Sequence, residues 1–179
     1  MALPSSGTIT LAQIQTEFGG SNPVRLSEYY RGGAYVTPNN TNVPTGGAIT
    51  LSNFYGAVKQ FAFTIGTTYS STQDLRTLAL AAGWNGSDPV VATISSGVII
   101  SSSSTASAAL TIAGSFPAGV SLVNNGSIVG MGGGGANADS VGIAGGAAVA
   151  VSTAVSITNN GTFAGGGGGG CAGISWGWN

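Results

Sequence analysis

Two glycine runs set the strongest limit on what this chain can fold into. The stretch NNGSIVGMGGGG spans residues 124–135, and NNGTFAGGGGGG follows it at residues 159–170, an offset of 35 residues. Glycine loses more backbone freedom on folding than any other residue, which disfavours it inside ordinary helices and strands. Such runs are either flexible linkers or parts of a structure that requires the absence of side chains.

Each glycine run follows a matched strand-like segment, VSLVNNG at 120–126 and VSITNNG at 155–161. Asn-Gly favours a tight turn because both residues tolerate a positive φ. As a linker, the glycine run is a flexible coil. As ordered structure, it is an extended left-handed helix with three residues per turn, in which six glycines span roughly 19 Å. The matched strands before the runs favour the ordered alternative.

Charged residues are scarce and unevenly placed. They make up 5% of the 179 residues, and Asp139 is the single charged residue after Asp88. Because soluble monomers usually keep many charges on their surface, we expect the second half to be packed against copies of itself or built into an assembly. No basic patch indicates nucleic-acid binding, and no apolar run reaches the length of a membrane span.

The chain has no histidine and one cysteine. A Ser-His-Asp triad, a Cys-His dyad and the usual zinc site therefore cannot be assembled from one chain, and no internal disulfide can form. We predict that the protein is not an enzyme and uses no cofactor or metal. The N-terminal stretch MALPSSGTITL lacks the features of a signal peptide, which predicts folding in a reducing cytoplasm.

Residues 1–58 are predicted to form a small attachment module of short helices and turns. SGTITLAQI at 6–14 resembles GGAITLSNF at 46–54, with Thr10 and Thr50 placed as N-caps. The pattern predicts a helix over 11–18 that ends at glycine, and another short helix in VRLSEYYRGG. Such a small module gains stability by docking on a partner. The residues predicted to serve this docking are Leu11, Ile14, Phe18, Tyr29, Tyr30, Phe54 and Tyr55.

Residues 59–179 are predicted to form a β-rich, glycine-rich body, with the boundary near 58–70 or, alternatively, near 88. KQFAFTIG at 59–66 alternates as a strand does. From residue 89 onward, short β-branched runs between Gly, Asn and Ser indicate β-structure with frequent turns. The predicted fold class is mainly β with short N-terminal helices and a solenoid-like, glycine-rich body with packed polyglycine helices.

The segment 70–86 gives the clearest helix prediction of the body. Thr72 is expected to cap it, Leu75, Leu78 and Leu80 to face inward, and a glycine to end it. Trp84 is expected to lie in the core where this helix ends.

Three groups of residues are candidate sites, each with an alternative explanation. GGANADSV at 134–141 matches calcium-binding nonapeptide repeats, or is a turn around Asp139. Trp176 and Trp178, with Phe163, form a surface that stacks on sugars, or a core or subunit contact. Asp74, Arg76 and Asp88 form a catalytic cluster, which requires a cleft with a perturbed pair, or Asp74 simply stabilises a helix N-terminus.

The glycine repeats, with the lead-in segments DLRTLALAAGWNGSDPV, GVIISSSS and ALTIAGSFPAGVSLVNNGSIVG, resemble glycine-rich tail-fibre and adhesin proteins of tailed bacteriophages. The N-terminal MALPSSGTITLAQIQTEFGG is similar to the opening of many phage virion structural proteins. In the adhesins, glycine-run helices pack side by side, and the loops between them bind the host receptor. This chain has two glycine runs where those adhesins have many.

The resemblance implies a structural component of a phage virion, in the tail fibre or at the baseplate periphery. Residues 1–58 would anchor it to other virion proteins, and the body would assemble as a homotrimer. The alternatives are an adhesin at the fibre tip that binds a host cell-surface receptor, a head decoration protein, and a polysaccharide-degrading tailspike. The expected location is the virion tail.

Overall fold

The structure is a computed structural model that describes residues 2–37, 40–136 and 140–170. The chain divides into two compact units, Met1–Gln60 and Phe61–Asn179. Each unit has its own cluster of buried apolar side chains.

The first unit is built from short helices and turns. Helix α1 spans Leu11–Phe18, and 3-10 helices span Leu26–Glu28 and Leu51–Phe54. Thr10 and Thr50 close capping boxes at the starts of α1 and of the second 3-10 helix, which confirms both predicted caps. The short helix predicted in VRLSEYYRGG is present as the 3-10 helix Leu26–Glu28, although it ends before the glycine pair that was expected to close it.

Two tyrosine hydroxyls hold the repeated turns of the first unit. Gly7 and Gly47 lie 40 residues apart and have φ angles of 88° and 81°, a conformation that favours glycine. The Tyr55 hydroxyl donates to the Gly7 carbonyl, and the Tyr30 hydroxyl donates to the Gly47 carbonyl. Each of the two repeated glycine turns is therefore held by a tyrosine hydroxyl from outside the turn.

The second unit is mainly β, as predicted, and its strands form three parallel sheets. The elements are β1 (Phe61–Ile65), β2 (Gln73–Asp74), α2 (Leu75–Ala81), β3 (Val90–Ile94), β4 (Ile99–Ser101), β5 (Leu110–Ile112), β6 (Val120–Asn124), β7 (Ser127–Val129), β8 (Val149–Val151), β9 (Ser156–Asn159) and β10 (Thr162–Ala164). The sheet orders are β1-β3-β6-β9, β4-β7-β10 and β2-β5-β8. From β3 onward the chain visits the three sheets in the same cyclic order, so each strand pairs with strands from the neighbouring passes.

In-register parallel pairing stacks side chains of like character on one another. Ala92, Leu122 and Ile157 form one such column, and Ile100, Ile128 and Phe163 form another. Inside strands β3 and β6, alternate residues are buried, as expected for strands with one face toward a core. The core of the second unit thus lies between the three sheets.

Helix α2 is shorter than predicted, and Leu75 and Leu78 pack on the core as predicted, whereas Leu80 does not. Asp74, and not Thr72, is the N-cap, because its carboxylate accepts from the Thr77 amide at 2.8 Å. Thr72 cannot serve, since the following two residues form strand β2 and pair with β5. The prediction that Leu80 faces inward is wrong: it is 42% exposed, and Ala79 takes the buried position one turn after the start of the helix.

Trp84 lies in the core, as predicted. Its side chain is 4% exposed and stacks on Phe116 with ring centroids 5.2 Å apart.

Candidate functional site

Three glycine-rich segments extend from the strand stack. The first glycine segment, 130–136, follows β7; the second, 142–146, precedes β8; and the third, 165–170, follows β10. The second segment was not predicted from the sequence, because Ile143 and Ala144 interrupt its glycines. Glycine at every third position, at 142 and 145, is the signal that would have found it.

Backbone hydrogen bonds join the three glycine segments in a cycle. The first segment donates to the third, the second donates to the first, and the third donates to the second. Donors in each segment are three residues apart. The bonds run from Gly130 to Ala164 (2.8 Å), Gly133 to Gly167 (2.7 Å), Ala136 to Gly170 (3.0 Å), Ile143 to Gly134 (3.0 Å), Gly146 to Met131 (2.7 Å), Gly166 to Gly146 (2.8 Å) and Gly169 to Ile143 (2.9 Å).

The same spacing identifies the glycines that no other residue can replace. A Cβ atom added at Gly133 would overlap the carbonyl oxygen of Ile143, and one added at Gly166 would overlap that of Met131. A Cβ atom at Gly167, by contrast, would meet no heavy atom within 4 Å. The remaining positions that allow no side chain are Gly130, Gly142, Gly145 and Gly169.

The end of the glycine segments away from the strands carries exposed apolar side chains. We call this the far end: Ala136, residues 140–143 and Gly170, where the Ala136 amide bonds the Gly170 carbonyl. Val141 is 91% exposed and Ile143 is 57% exposed, the two highest values among the large apolar side chains of the described residues. Exposed apolar groups that lie together mark interaction sites. Sequence reasoning missed both residues, since their exposure depends on how the segments are arranged.

The Asn-Asn-Gly repeats form the corner between two sheets. Asn124 is fully buried, and its amide nitrogen donates to Asn159 Oδ1 at 2.8 Å, while its own Oδ1 accepts from the Gly126 amide at 3.1 Å. On the outside of the same corner, Asn160 donates to Asn125 at 2.9 Å. A buried side-chain amide is costly unless its groups are paired, so the corner must repeat in register.

The residues predicted to serve docking in the first unit fall into two groups. Leu11, Tyr30 and Tyr55 are half-buried at the surface. The other four lie in the core of the unit, so they support its surface from beneath. Partner binding by these residues stays a prediction. The core members are Ile14, Phe18, Tyr29 and Phe54, at 0–3% exposure.

An apolar groove runs along the outer side of α1. Its volume is about 490 Å³. It lies where helix α1 faces the N-terminal segment of the same unit. The groove is lined by Ala2, Leu3, Pro4, Ala12, Gln13, Thr16 and Glu17.

Burial raises the pKa of the Tyr29 phenol, with smaller contributions from Glu28 and Tyr35. The hydroxyl donates to the Gly19 carbonyl at 2.7 Å. Tyr29 therefore acts as a neutral core donor that holds the end of α1.

The three charged residues of the proposed catalytic cluster have separate structural roles. Asp74 caps α2, and the Arg76 guanidinium lies 5.8 Å from the centroid of the Trp84 ring. Asp88 uses its backbone carbonyl to accept from the Trp84 indole at 2.8 Å. The simpler explanation of Asp74, a residue at a helix N-terminus, agrees with this geometry.

The other candidates fall at the limits of the described residues. Phe163 is 36% exposed on β10, whereas Trp176 and Trp178 lie outside the described residues. Asp139 also lies outside them, as does the centre of the calcium-like motif. Among the residues that the structure describes, no group of three potential metal ligands occurs.

A family model for phage tail fibre adhesin Gp38 matches residues 60–178. The match spans most of the chain and nearly all of the second unit, so this chain belongs to the phage tail fibre adhesin family. No curated protein and no solved structure matches the chain significantly.

Membership in this family confirms the prediction of a phage tail fibre protein that acts in host attachment, with its location in the virion tail. Receptor binding, which the sequence analysis held as the alternative role, is the role that the family carries. Across the part of the chain that the structure describes, no helix combines the length and apolar character needed to cross a membrane.

Proposed function

We propose that this adhesin binds its host receptor through the far end of the glycine segments. The observation that carries the proposal is the cycle of backbone hydrogen bonds that ties the three segments together and leaves the side chains of Val141 and Ile143 exposed at the far end. Because the segments are built mostly of glycine, they offer few side chains for recognition along their length. The side chains available to a receptor are therefore concentrated at the far end.

We also propose a more specific description of the fold of the second unit. The strands form a solenoid, supported by the fixed order in which the chain visits the three sheets. The glycine segments form packed polyglycine helices, supported by donors three residues apart, since such helices have three residues per turn and no internal hydrogen bonds. Amides of this kind must bond to neighbouring segments, and the amides of Gly133, Gly146 and Gly166 do so.

The sequence carries a second copy of the pattern found at the far end. The offset of 35 residues that relates β7 to β10 also relates Ser-Val-Gly-Ile at 140–143 to Ser-Trp-Gly-Trp at 175–178. Val141 and Ile143 thus correspond to Trp176 and Trp178 in sequence. Tryptophan offers a flat apolar face with one donor, which suits sugars and other amphipathic surfaces. Sugar binding by these two tryptophans, which lie outside the described residues, stays a prediction.

The first unit is proposed as the anchor to other virion proteins, through residues 1–58. The family match begins at residue 60, so the adhesin part does not include this unit, and the groove along α1 offers a docking surface. We also propose that the protein is not an enzyme, because the Asp74 carboxylate caps α2 and the chain has no histidine to serve as a general base. The homotrimer and folding in the host cytoplasm stay predictions.

Binding of the purified full chain to a panel of bacterial cells tests the receptor surface. Val141→Asp and Ile143→Asp place a charge at the far end, and each should weaken binding to the recognised strain at least about tenfold, roughly 1.4 kcal/mol. Leu80→Asp is the matched control, because Leu80 is 42% exposed on α2, away from the far end. Unchanged binding by both far-end variants would show that the receptor contacts another surface.

A further inference from the structure

The sequence contains three Asn-Gly pairs, at Asn85, Asn125 and Asn160. Asparagine is among the thermolabile residues, because the backbone nitrogen of the next residue can attack the carbonyl carbon of its side-chain amide. Glycine hinders this attack least, since it has no side chain and the most backbone freedom. The three pairs contain the same reacting groups, so the fold determines how their reactivities differ.

In the two Asn-Asn-Gly corners, the glycine nitrogen is held in a hydrogen bond. The Gly126 amide donates to Asn124 Oδ1 at 3.1 Å, in a bond that is buried. The Gly161 amide donates to Asn159 Oδ1 at 3.4 Å, in a bond that is exposed. A nitrogen held in this way is not free to turn toward the asparagine before it. The corners therefore slow the attack, and the buried corner slows it more than the exposed one.

The third pair lies in the turn between α2 and β3, where Asn85 is exposed. Asn85 Oδ1 accepts from the Ser87 amide and from the Asp88 amide, each at 3.0 Å. These bonds fold the Asn85 side chain over the peptide bond that follows it, which turns its carbonyl carbon toward the Gly86 nitrogen. Among the described residues, the Gly86 amide has no hydrogen-bond acceptor. The attacking nitrogen is therefore free, and the carbon that it attacks is held beside it.

The same two amides stabilise the charge that develops during the attack. As the Gly86 nitrogen adds to the carbonyl carbon, negative charge accumulates on Asn85 Oδ1, and two backbone N–H groups already point at that atom. Donors placed where charge develops lower the barrier, as they do in the oxyanion holes of acyl-transfer enzymes. This turn therefore promotes the reaction that the Asn-Asn-Gly corners slow.

We propose that Asn85 is a site of spontaneous deamidation, at which the folded chain converts this asparagine to aspartate or isoaspartate. The Gly86 nitrogen forms a bond to the side-chain carbonyl carbon, and its proton passes to the side-chain nitrogen, which leaves as ammonia. Water then opens the resulting cyclic imide at either of its two carbonyl groups, which gives aspartate or isoaspartate. The reaction consumes water alone and involves no oxidation or reduction.

The reaction changes the turn that holds Trp84 in the core. The Trp84 indole donates to the backbone carbonyl of Asp88 at 2.8 Å, and Asp88 lies three residues after Asn85 in the same turn. In isoaspartate the main chain runs through the side-chain methylene, so the turn becomes longer and the Asp88 carbonyl is displaced. The isoaspartate form should therefore loosen the stack of Trp84 on Phe116.

Incubation of the folded full chain at neutral pH in water enriched in heavy oxygen, followed by peptide mass spectrometry, tests the proposal. Each residue that converts takes up oxygen from the water, so the label measures conversion at each pair during the incubation. We expect Asn85 to convert at least about tenfold faster than Asn125, with Asn160 between them. The same chain in denaturant is the matched control, and there the three rates should be similar because every pair has glycine next.

Ser87→Pro removes one of the two donors to Asn85 Oδ1, and it should slow conversion at Asn85 about tenfold or more while the other two pairs keep their rates. A cooperative thermal transition verifies that this variant is folded, and the comparison within the unmodified chain does not depend on it. Equal rates at Asn85 and Asn125 in the folded chain would overturn the proposal. So would slower conversion of Asn85 in the folded chain than in denaturant, or an unchanged rate at Asn85 in folded Ser87→Pro.

Discussion

The strand stack and the glycine segments belong to one unit but are held together by opposite means. In the stack, side chains such as Leu122 and Ile128 fill the space between the sheets. In the glycine segments, the space is closed by removing side chains, so that the backbone at Gly133 and Gly166 meets the carbonyl groups of neighbouring segments. One region is stabilised mainly by apolar burial, and the other by backbone hydrogen bonds and close backbone contact.

The difference determines how each region responds to substitution. A buried leucine or isoleucine contributes about 1.5–3 kcal/mol through burial alone, whereas one hydrogen bond contributes a net 0.5–1.5 kcal/mol or so. The stack is therefore most sensitive to smaller residues at a few columns. The glycine segments are most sensitive to larger residues, and only at every third position.

The largest expected effect is in the stack. Leu122→Ala should lower the free energy of unfolding of the second unit by about 2–5 kcal/mol, because it leaves a cavity in a fully buried column. Chemical denaturation of the full chain, followed by the near-ultraviolet signal of Trp84, measures the change. Ser121→Ala on the same strand is the control and should shift the midpoint little. A loss below about 1 kcal/mol for Leu122→Ala would mean that burial does not hold the stack.

The next largest effect is a difference in stability between alanine substitutions at Gly133 and at Gly167, two glycines that look alike in the sequence. Gly133→Ala should destabilise the glycine segments by about 1–3 kcal/mol, because the added methyl group overlaps the Ile143 carbonyl. Gly167→Ala should be neutral or stabilising by up to about 1 kcal/mol, since its Cβ meets nothing within 4 Å. Amide hydrogen exchange at Gly130 and Ile143 measures the change.

In the intact chain these amides should be protected, and Gly133→Ala should remove that protection while Trp84 stays in its packed environment. Equal exchange rates in the two alanine variants would contradict the distinction between the two positions. Rapid exchange in the unmodified chain would favour the linker alternative for the glycine runs.

Local signals in the sequence predicted the local structure well. The helix over 11–18 and its Thr10 cap follow from residues within one turn of each other, and the structure has them as predicted. The strand-turn-strand pattern around each Asn-Asn-Gly is equally local and is confirmed. Leu80 was misplaced because helical spacing alone does not show that the small Ala79 faces the core.

The pairing of strands and segments could not be predicted in the same way. Strand β3 pairs with β6, which begins 30 residues later, and no residue type in either strand specifies that partner. The second glycine segment was missed because its role depends on bonds to two distant segments. Likewise, the exposure of Val141 follows from the arrangement of all three segments, which periodicity does not determine.

The smallest expected effect concerns Tyr29, an ionisable residue in the core of the first unit. Burial raises the pKa of Tyr29, so its neutral form stabilises the fold at every pH below the unfolded value of about 10, and this contribution is lost as the pH rises above that value. Tyr29→Phe removes the hydrogen bond to Gly19 and should cost about 0.5–1.5 kcal/mol at lower pH. Residues 140–170 contain no ionisable side chain and cannot contribute in this way.

Calorimetry gives the melting temperatures of the intact chain and of Tyr29→Phe at about pH 8 and about pH 11. The difference between the two melting temperatures is the quantity to compare. The variant should melt below the intact chain at the lower pH, and the gap should close or reverse at the higher pH, because the intact chain alone must then keep a phenol neutral in its core. An equal gap at both pH values would show that Tyr29 is free to ionise in the folded state. In that case its hydroxyl would reach water, and the end of helix α1 would be held by the bond from the Gly19 amide to the Gln15 carbonyl.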